Sequence, residues 1–422
     1  MAVNFVGTLG FSIVTPFLVV LVTGWGGNAV VYGILAATYS FFQLFGAPIL
    51  GRMSDRIGRR RVLLLSQFGT LLSWGIFLIA FALPATTLLN LNSEVLGSFV
   101  LTLPLLVLFV ARAADGLTGG NVSVSNAYLA DITSDKDRAK NFGQMAVSSN
   151  LGFVLGPALA GLLGATVLGE IVPVFAAFVI SAVALALIQF GLVETTPTAI
   201  SEPLEKPTAC DLYGHEHKPA YDVTCRKADG FSAILTLPNM PALLAVNFLV
   251  MLGFSFFYVA FPVHAVEGLG WSVTQIGTYF ALLSLAMIAV QGPILARASQ
   301  RFEDRLLMSI GAAALAFGFA LLYSGATVLV YASALLVAIG NGLMWPTFMA
   351  VLSKASGTRL QGAVQGFAQS AGAVASILGL VAGGVFYVSL GPILFPIAAL
   401  VIAASGFLSA TYRPGGPAPA EA

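Results

Sequence analysis

Apolar runs of about 20 residues recur along the whole sequence, and each is long enough to cross the roughly 30 Å hydrocarbon core of a bilayer as an α-helix. Only 9% of the 422 residues are charged and 58% are hydrophobic, which excludes a soluble globular domain. The pattern predicts an all-α integral membrane protein with twelve transmembrane helices, at residues 2–23, 29–50, 62–84, 104–130, 141–166, 171–193, 240–263, 272–295, 306–325, 327–351, 363–388 and 391–411.

The positions of the cations predict the orientation, because Lys and Arg collect on the cytoplasmic side of a membrane. Of the 19 Lys and Arg residues, all but Arg112 lie in the connections that follow even-numbered segments or in the C-terminal tail. The charged residues of the opposite connections are the acids Glu94, Glu170 and Glu267. We therefore expect a multi-pass protein of the inner (plasma) membrane with both termini in the cytoplasm.

Residues beside the first and seventh segments add to this topology. No basic leader precedes the first segment, so no cleavable signal peptide is expected. Trp25 and Trp271 follow these segments, and Trp is enriched at membrane interfaces. His264, beside Glu267, is expected at the same outer interface.

A polar stretch at 194–230 divides the twelve segments into two sets of six, and the two sets repeat. The sequence "GRMSDRIGRRR" at 51–61 aligns with "ARASQRFEDRL" at 296–306, each between the second and third segment of its half. Two similar bundles predict a rocking transporter with its substrate held between the halves. The expected domains are a six-helix bundle at 1–193, a cytoplasmic connector at 194–235, a second six-helix bundle at 236–412 and a cytoplasmic tail at 413–422.

Two charged residues, Arg112 and Asp115, lie firmly inside the fourth segment. At helical spacing they are neighbours, and Asn126 falls on the same face. Charged groups at membrane depth normally pair and face a bundle interior or an aqueous cavity. We hypothesise that Asp115 accepts a proton and that Arg112 opposes its protonation; a purely structural ion pair is the alternative.

The fifth segment carries small residues at helical spacing, Gly152, Gly156 and Gly161, together with Pro157. Small residues let helices pack backbone to backbone, and proline frees a carbonyl group and bends a helix. The motif therefore predicts close packing, a gating hinge, or both.

Three motifs resemble signatures of the major facilitator superfamily: "GRMSDRIGRR" at 51–60, "RAADGLTGGN" at 112–121 and "GFVLGPALAG" at 152–161. The last is similar to the helix-five signature of the drug:proton antiporter branch, which includes the tetracycline efflux pumps. The resemblance covers the whole chain apart from 194–230 and the tail. It implies the twelve-helix major facilitator fold and implicates the helix-four arginine in proton transfer.

The resemblance also implies a conformational latch on the cytoplasmic side. In the family, a loop acid, a later arginine and an acid at the inner end of helix four form a charge cluster that latches the outward-facing state. The matching residues are Asp55, Arg59 and Asp131, within a motif that also contains Gly51, Arg56 and Gly58. The second copy has Gln300 and Glu303 in place of Asp55 and Gly58, so any latch there must use other chemistry.

Helix one departs from the drug:proton antiporter pattern. Gly10 and Pro16 match, but Gly7 stands where many of these antiporters carry an acid. This leaves open a facilitator that moves no protons and argues against strongly cationic substrates.

Polar and aromatic residues in other segments are candidates to line a substrate cavity, and an aromatic cavity with few polar anchors favours amphipathic ligands. For each residue, an interhelical hydrogen bond or ordinary packing is the alternative. The candidates, with Asn126, are Asn150, Asn247, Phe254, Tyr258, Gln291, Asn341, Trp345 and Gln369.

The connector contains Cys210, His215, His217 and Cys225, which could supply two sulfur and two nitrogen ligands to zinc. Their spacing fits no standard finger, so we expect a linker with free thiols and no metal or other cofactor.

No hydrolase triad or phosphate-binding glycine loop is present, so we expect neither an enzyme nor an ATP-driven pump. The sequence predicts a secondary active transporter that exports small amphipathic, drug-like molecules in exchange for protons by alternating access. A facilitator or proton-linked uptake carrier for a sugar or other metabolite is one alternative, and a nontransporting receptor or scaffold is another. The expected partners are a small-molecule substrate, protons and the lipid bilayer, with no nucleic acid, and the expected form is a monomer.

Overall fold

The structure is a computed structural model that describes residues 2–119, 124–125, 128–129, 138–194, 235, 237 and 239–411. Helices predominate, and the chain divides into two compact units. The first unit contains residues 2–21, 38–89 and the described residues from 101 to 194. The second contains residues 22–37, 90–100 and the described residues from 235 onward.

Among the described residues from 2 to 191 are seven helices with defined bounds and a hairpin. They are α1 (Ala2–Ser12), α2 (Thr15–Gly24), α3 (Ala29–Ile57), α4 (Arg59–Ala82), β1 (Thr87–Ser93), β2 (Gly97–Thr102), α5 (Leu103–Thr118), α6 (Arg138–Gly164) and α7 (Ile171–Gly191). The strands pair as a two-stranded sheet in the connection between α4 and α5.

Further α-helices lie in the described residues from 240 onward. They are α8 (Met240–Val263), α9 (Val273–Ala289), α10 (Leu295–Ala298), α11 (Asp304–Leu321), α12 (Thr327–Leu390) and α13 (Leu394–Thr411). Single π-helical turns follow α8 at His264–Gly268 and α9 at Val290–Ile294.

Eight helical stretches of the described residues are long and apolar enough to cross a membrane: Ala29–Gly51, Arg59–Ala82, Ile171–Gly191, Met240–Gly268, Val273–Ala298, Asp304–Ser324, Thr327–Leu352 and Phe367–Thr411. The last, 45 residues long, overlaps predicted segments eleven and twelve. Helices α1, α2, α5 and α6 lie in the other predicted segments, so each of the twelve contains helix.

The structure corrects two details of the predicted helices. The first segment is not continuous, because Ile13 and Val14 interrupt it just before Pro16, whose nitrogen cannot donate a hydrogen bond. Segments ten and eleven are joined by helix, since α12 runs for 64 residues. A straight helix of that length would extend about 96 Å, far beyond one bilayer crossing.

Helices α1 and α6 of the first unit pack with almost no side chain between them. The Ser12 hydroxyl donates a hydrogen bond to the Gly152 carbonyl oxygen at 2.8 Å. A Cβ atom on Gly152 would lie 2.9 Å from the Leu9 nitrogen, and one on Gly156 would lie 2.8 Å from the Ile13 nitrogen. The glycines of the fifth segment therefore serve as contact points for the first helix.

Aromatic rings form the core of one end of the second unit. Phe257 and Phe319 are stacked with centroids 5.0 Å apart, and Phe261 lies 4.1 Å from the ring of Tyr279. Trp271 is also buried, with its ring stacked on Tyr331 at 5.2 Å. Neighbouring rings therefore cover Trp271, and its location at the outer membrane interface stays a prediction.

We predict that Gly156→Ala lowers the free energy of unfolding by about 1–3 kcal/mol, because the added methyl group overpacks the contact with α1. Gly7→Ala is the matched control, since a Cβ there meets nothing within 4 Å. Both changes gain the same helix propensity, so the difference isolates the steric cost. Thermal unfolding of the purified variants measures it, and equal melting temperatures would contradict the assigned packing.

Candidate functional site

A buried ion pair lies in α5 of the first unit. Arg112 Nη1 is 3.6 Å from Asp115 Oδ2, and the two side chains are only 9% and 8% exposed. The three-residue spacing places both groups on one face of the helix, as the sequence predicts. A charge buried at membrane depth costs about 2.5–3.5 kcal/mol by insertion scales, so a partner within ion-pair distance is required.

Side chains from α3 and α4 complete the surroundings of the pair. The Arg112 guanidinium carbon lies 5.0 Å from the centroid of the Tyr39 ring, within the range of a cation–π interaction. The Tyr39 hydroxyl accepts a hydrogen bond from Gln43 Nε2 at 3.0 Å, and the same nitrogen donates to the Gly119 carbonyl oxygen at 2.9 Å. Thr70 of α4 is a hydrogen-bond partner of Asp115.

Glycines allow these three helices to approach closely. A Cβ on Gly116 of α5 would collide with the Tyr39 carbonyl of α3, and one on Gly69 of α4 would collide with the Thr118 side chain. Ser66 of α4 donates a hydrogen bond to the Thr118 carbonyl oxygen. The backbone geometry therefore fixes the pair against α3 and α4.

A narrow depression, too small to hold a water molecule, lies against the pair and is lined by Ser73, Trp74, Phe77 and Ala111 together with Arg112 and Asp115. Its walls are mostly apolar, so the carboxylate and the guanidinium supply its charge. Proton exchange at Asp115 therefore requires a movement that brings water to this depression.

The motif at 51–61 contains the end of α3, the start of α4 and Gly58 between them. Gly58 has a positive φ of 103° at the N-cap of α4, where a residue with a side chain would be strained. A Cβ there would also lie 2.5 Å from Glu194 Oε1. Nearby, Arg59 Nη1 donates to the Ser54 hydroxyl at 2.7 Å, and that hydroxyl donates to the Gly51 carbonyl oxygen at 2.7 Å.

Glu194, just after α7, binds the N-terminus of α4. Its carboxylate accepts hydrogen bonds from the backbone nitrogens of Arg60, at 3.0 Å, and Arg61, at 3.3 Å. The Arg60 side chain donates in turn to the carbonyl oxygens of Ile188 and Gln189. A carboxylate at a helix N-terminus is favoured by the free N–H groups and the helix dipole, so this contact ties α7 to α4.

Sequence reasoning missed Glu194 because it lies in the polar connector. The sequence feature that could have indicated this contact is an acid directly after an apolar segment, in a protein in which α4 begins with three arginines. The predicted latch of Asp55, Arg59 and Asp131 stays a prediction, since the side chains of Asp55 and Arg56 and all of Asp131 lie outside the described residues.

The second unit has an ion pair near its degenerate motif copy. Lys354 Nζ of α12 is 2.6 Å from Asp304 Oδ2. Asp304 is the first residue of α11, directly after the N-cap residue Glu303, so its carboxylate also lies at a helix N-terminus. A lysine–aspartate pair is therefore present close to the copy that lacks the motif aspartate.

The predicted cavity residues differ in their surroundings. Asn247 is buried and donates a hydrogen bond to the Ala368 carbonyl oxygen at 2.7 Å, and Asn341 Nδ2 lies 3.9 Å from the Met287 sulfur. Phe254 packs edge-on against Phe319 with centroids 5.6 Å apart. Among the rest, Gln291 and Trp345 are half-buried, and Tyr258 and Gln369 are exposed.

Several predicted residues lie outside the described part of the chain. They are Asn126, the Asn150 side chain, and the connector residues Cys210, His215, His217 and Cys225. Within the described residues, no group of three or more His, Cys, Asp or Glu side chains could hold a metal ion.

Comparison with known proteins identifies the family. The Major Facilitator Superfamily model matches residues 1–246 and 243–422, so the chain belongs to this family. It is 29% identical to the class C tetracycline resistance protein of Escherichia coli, over 82% of this chain and 78% of that protein. It is 28% identical to major facilitator superfamily domain-containing protein 10 of Mus musculus, over 88% of this chain and 76% of that protein.

Solved structures show the same fold. The human organic anion transporter MFSD10 (TETRAN) has a TM-score of 0.63 at 21% identity, covering 97% of both chains. A D-xylose-proton symporter has a TM-score of 0.68 at 15% identity, covering 95% of both chains. The predicted major facilitator fold is confirmed, and the protein is a multi-pass membrane transporter of this superfamily.

We predict that Glu194→Ala lowers the free energy of unfolding by about 0.5–2 kcal/mol, because the first N–H groups of α4 lose their acceptor. Glu303→Ala is the matched control, since Glu303 is an N-cap residue whose side chain makes no capping hydrogen bond. Thermal unfolding in detergent measures both variants. Equal melting temperatures would show that Glu194 does not stabilise the α4–α7 contact.

Proposed function

We propose that this transporter exports small amphipathic molecules in exchange for protons by alternating access. The observation that carries the proposal is the buried Arg112–Asp115 ion pair. A secondary transporter coupled to protons needs a titratable group at depth, and intramembrane ionisable residues mark such relays. The proposed orientation places both termini in the cytoplasm of an inner-membrane protein.

In the proposed cycle, Asp115 alternates between a carboxylate and a neutral acid. As a carboxylate it is stabilised by Arg112 and by its hydrogen bond with Thr70. When a proton from the outer side binds the carboxylate, the ion pair loses its Coulomb attraction and the Arg112 guanidinium keeps its contact with Tyr39. Release of the proton to the cytoplasm restores the pair.

The substrate class rests on the relatives and on the candidate cavity residues. Several relatives are tetracycline resistance proteins, so tetracycline is the first compound to test. Aromatic residues such as Phe254 and Trp345, with the single polar groups of Asn341 and Gln291, suit amphipathic molecules. These contacts and the latch of Asp55, Arg59 and Asp131 remain part of the proposal.

A facilitator that moves no protons is the second candidate. Gly7 favours it, because a glycine stands where many drug:proton antiporters carry an acid, and a Cβ there would meet nothing within 4 Å. If protons are coupled despite this glycine, Asp115 is the one carboxylate proposed here to carry them.

We predict that Asp115→Asn abolishes proton antiport, because an amide cannot bind and release the proton. Everted vesicles are energised, internal acidification is followed with a quenched dye, and tetracycline and other amphipathic drugs are added. The wild type should restore dye fluorescence and Asp115→Asn should not. Asp304→Asn is the control, since it removes an acid from an ion pair of the second unit.

Two outcomes would contradict the proposal. Equal dye recovery in wild type and Asp115→Asn would remove Asp115 from the coupling. Transport of labelled drug by the wild type with no effect of a pH gradient would favour the facilitator.

A further inference from the structure

A buried histidine lies in the π-helical turn after α8, where sequence analysis predicts an interface residue. The His264 side chain is only 6% exposed and is covered by protein, while its location at the outer interface stays a prediction. Its Nδ1 atom lies 3.0 Å from the Tyr387 hydroxyl of α12, and its ring meets that of Phe395 of α13 edge-on at 5.3 Å. Its Nε2 atom is buried without a hydrogen-bond partner among the described residues.

The surroundings of His264 suit a neutral imidazole better than a charged one. Glu267 lies on the same turn and is exposed, Tyr387 is the ionisable group facing the ring from α12, and Phe395 of α13 brings no ionisable group. Protonation makes both ring nitrogens donors, and a buried charged donor without an acceptor is costly. A charged His264 therefore requires the turn to open toward water or Glu267.

Tyr387 connects this turn to a close helix contact. It lies one helical turn after Gly384, where a Cβ would sit 2.5 Å from the Ala29 carbonyl oxygen at the start of α3. A Cβ on Gly33 of α3 would likewise collide with the Leu380 carbonyl oxygen. The start of α3 thus packs backbone to backbone on α12, within the second unit.

The hairpin covers the same contact. The Val100 nitrogen donates to the Gly26 carbonyl oxygen at 2.8 Å, and Asn28 Nδ2 donates to the Leu96 carbonyl oxygen at 2.8 Å. Gly97, at a positive φ of 70°, lies against Val388, the residue after Tyr387. A shift of α12 at Tyr387 would therefore disturb both α3 and the hairpin.

We propose that His264 is a second protonatable site, and that its charge controls the packing of α12 on the start of α3. Protonation weakens this packing and exposes the start of α3. The proposal rests on the proposed orientation, which places the turn on the outer side, but not on the role of Asp115.

The test measures the exposure of Ala29, which is 1% exposed. Ala29→Cys is made in a protein with Cys210→Ser and Cys225→Ser, and intact cells are labelled with a membrane-impermeant maleimide. Leu88→Cys, at an exposed hairpin position, corrects for the effect of pH on thiol reactivity. The corrected labelling rate should rise several-fold as external pH falls from about 8 to about 5, the range in which histidine titrates.

His264→Asn should remove this pH dependence, because asparagine can keep a hydrogen bond to Tyr387 but takes up no proton. Tyr387→Phe should reduce it several-fold, because His264 still titrates but loses its link to α12. The amount of each protein in the membrane is the control for folding. Unchanged pH dependence in either variant, or none in the starting protein, would overturn the proposal.

Labelling needs neither substrate nor proton transport, so the two proposals fail separately. Asp115→Asn should leave the pH dependence of Ala29→Cys labelling unchanged. Lost dependence in that variant would contradict an independent site at His264. Failure of drug-driven proton flux in vesicles would leave the labelling result standing.

Discussion

A carboxylate buried at membrane depth needs a compensating partner, and the arrangement of the first unit follows from that requirement at Asp115. Arg112 supplies the opposite charge at 3.6 Å, while Tyr39 and Thr70 contribute a ring face and a hydrogen bond. These partners come from three helices, so the helices must approach closely. Gly69 and Gly116 allow this approach, because side chains at either position would collide with the neighbouring helix.

Polar contacts at helix ends differ from the buried ion pair in how easily they can be broken. Glu194 ties α7 to the N-terminus of α4, and Lys354 pairs with Asp304 at the start of α11. The exposed Lys354–Asp304 pair contributes little to stability, typically about 0–1 kcal/mol, so it is easily exchanged during a conformational cycle. Glu194 instead accepts backbone hydrogen bonds at the start of α4. The buried Arg112–Asp115 pair resists such exchange unless its charge changes.

Sequence periodicity and motifs predict most of the fold. The apolar runs locate helix in all twelve predicted segments, the three-residue spacing brings Arg112 beside Asp115, and the glycines at 152 and 156 predict close packing. These features depend on local helical geometry, which follows directly from the spacing of residues along the sequence.

Features that depend on residues distant in the chain could not be predicted. Glu194 binds a helix start 134 residues earlier, and His264 is buried by a tyrosine 123 residues later. Trp271 is covered by Tyr331 in the same way. Position along the chain predicts only that these side chains lie beside a segment or in the connector, because it carries no information about which helices become neighbours.

Proton release on binding tests the central claim most directly. A transported compound is added to purified protein in weakly buffered detergent solution, and the protons released are counted for wild type and Asp115→Asn. Linkage predicts release of up to about one proton per bound molecule in the wild type and none in the variant. Equal release by both proteins, with equal binding, would show that the proton is carried elsewhere.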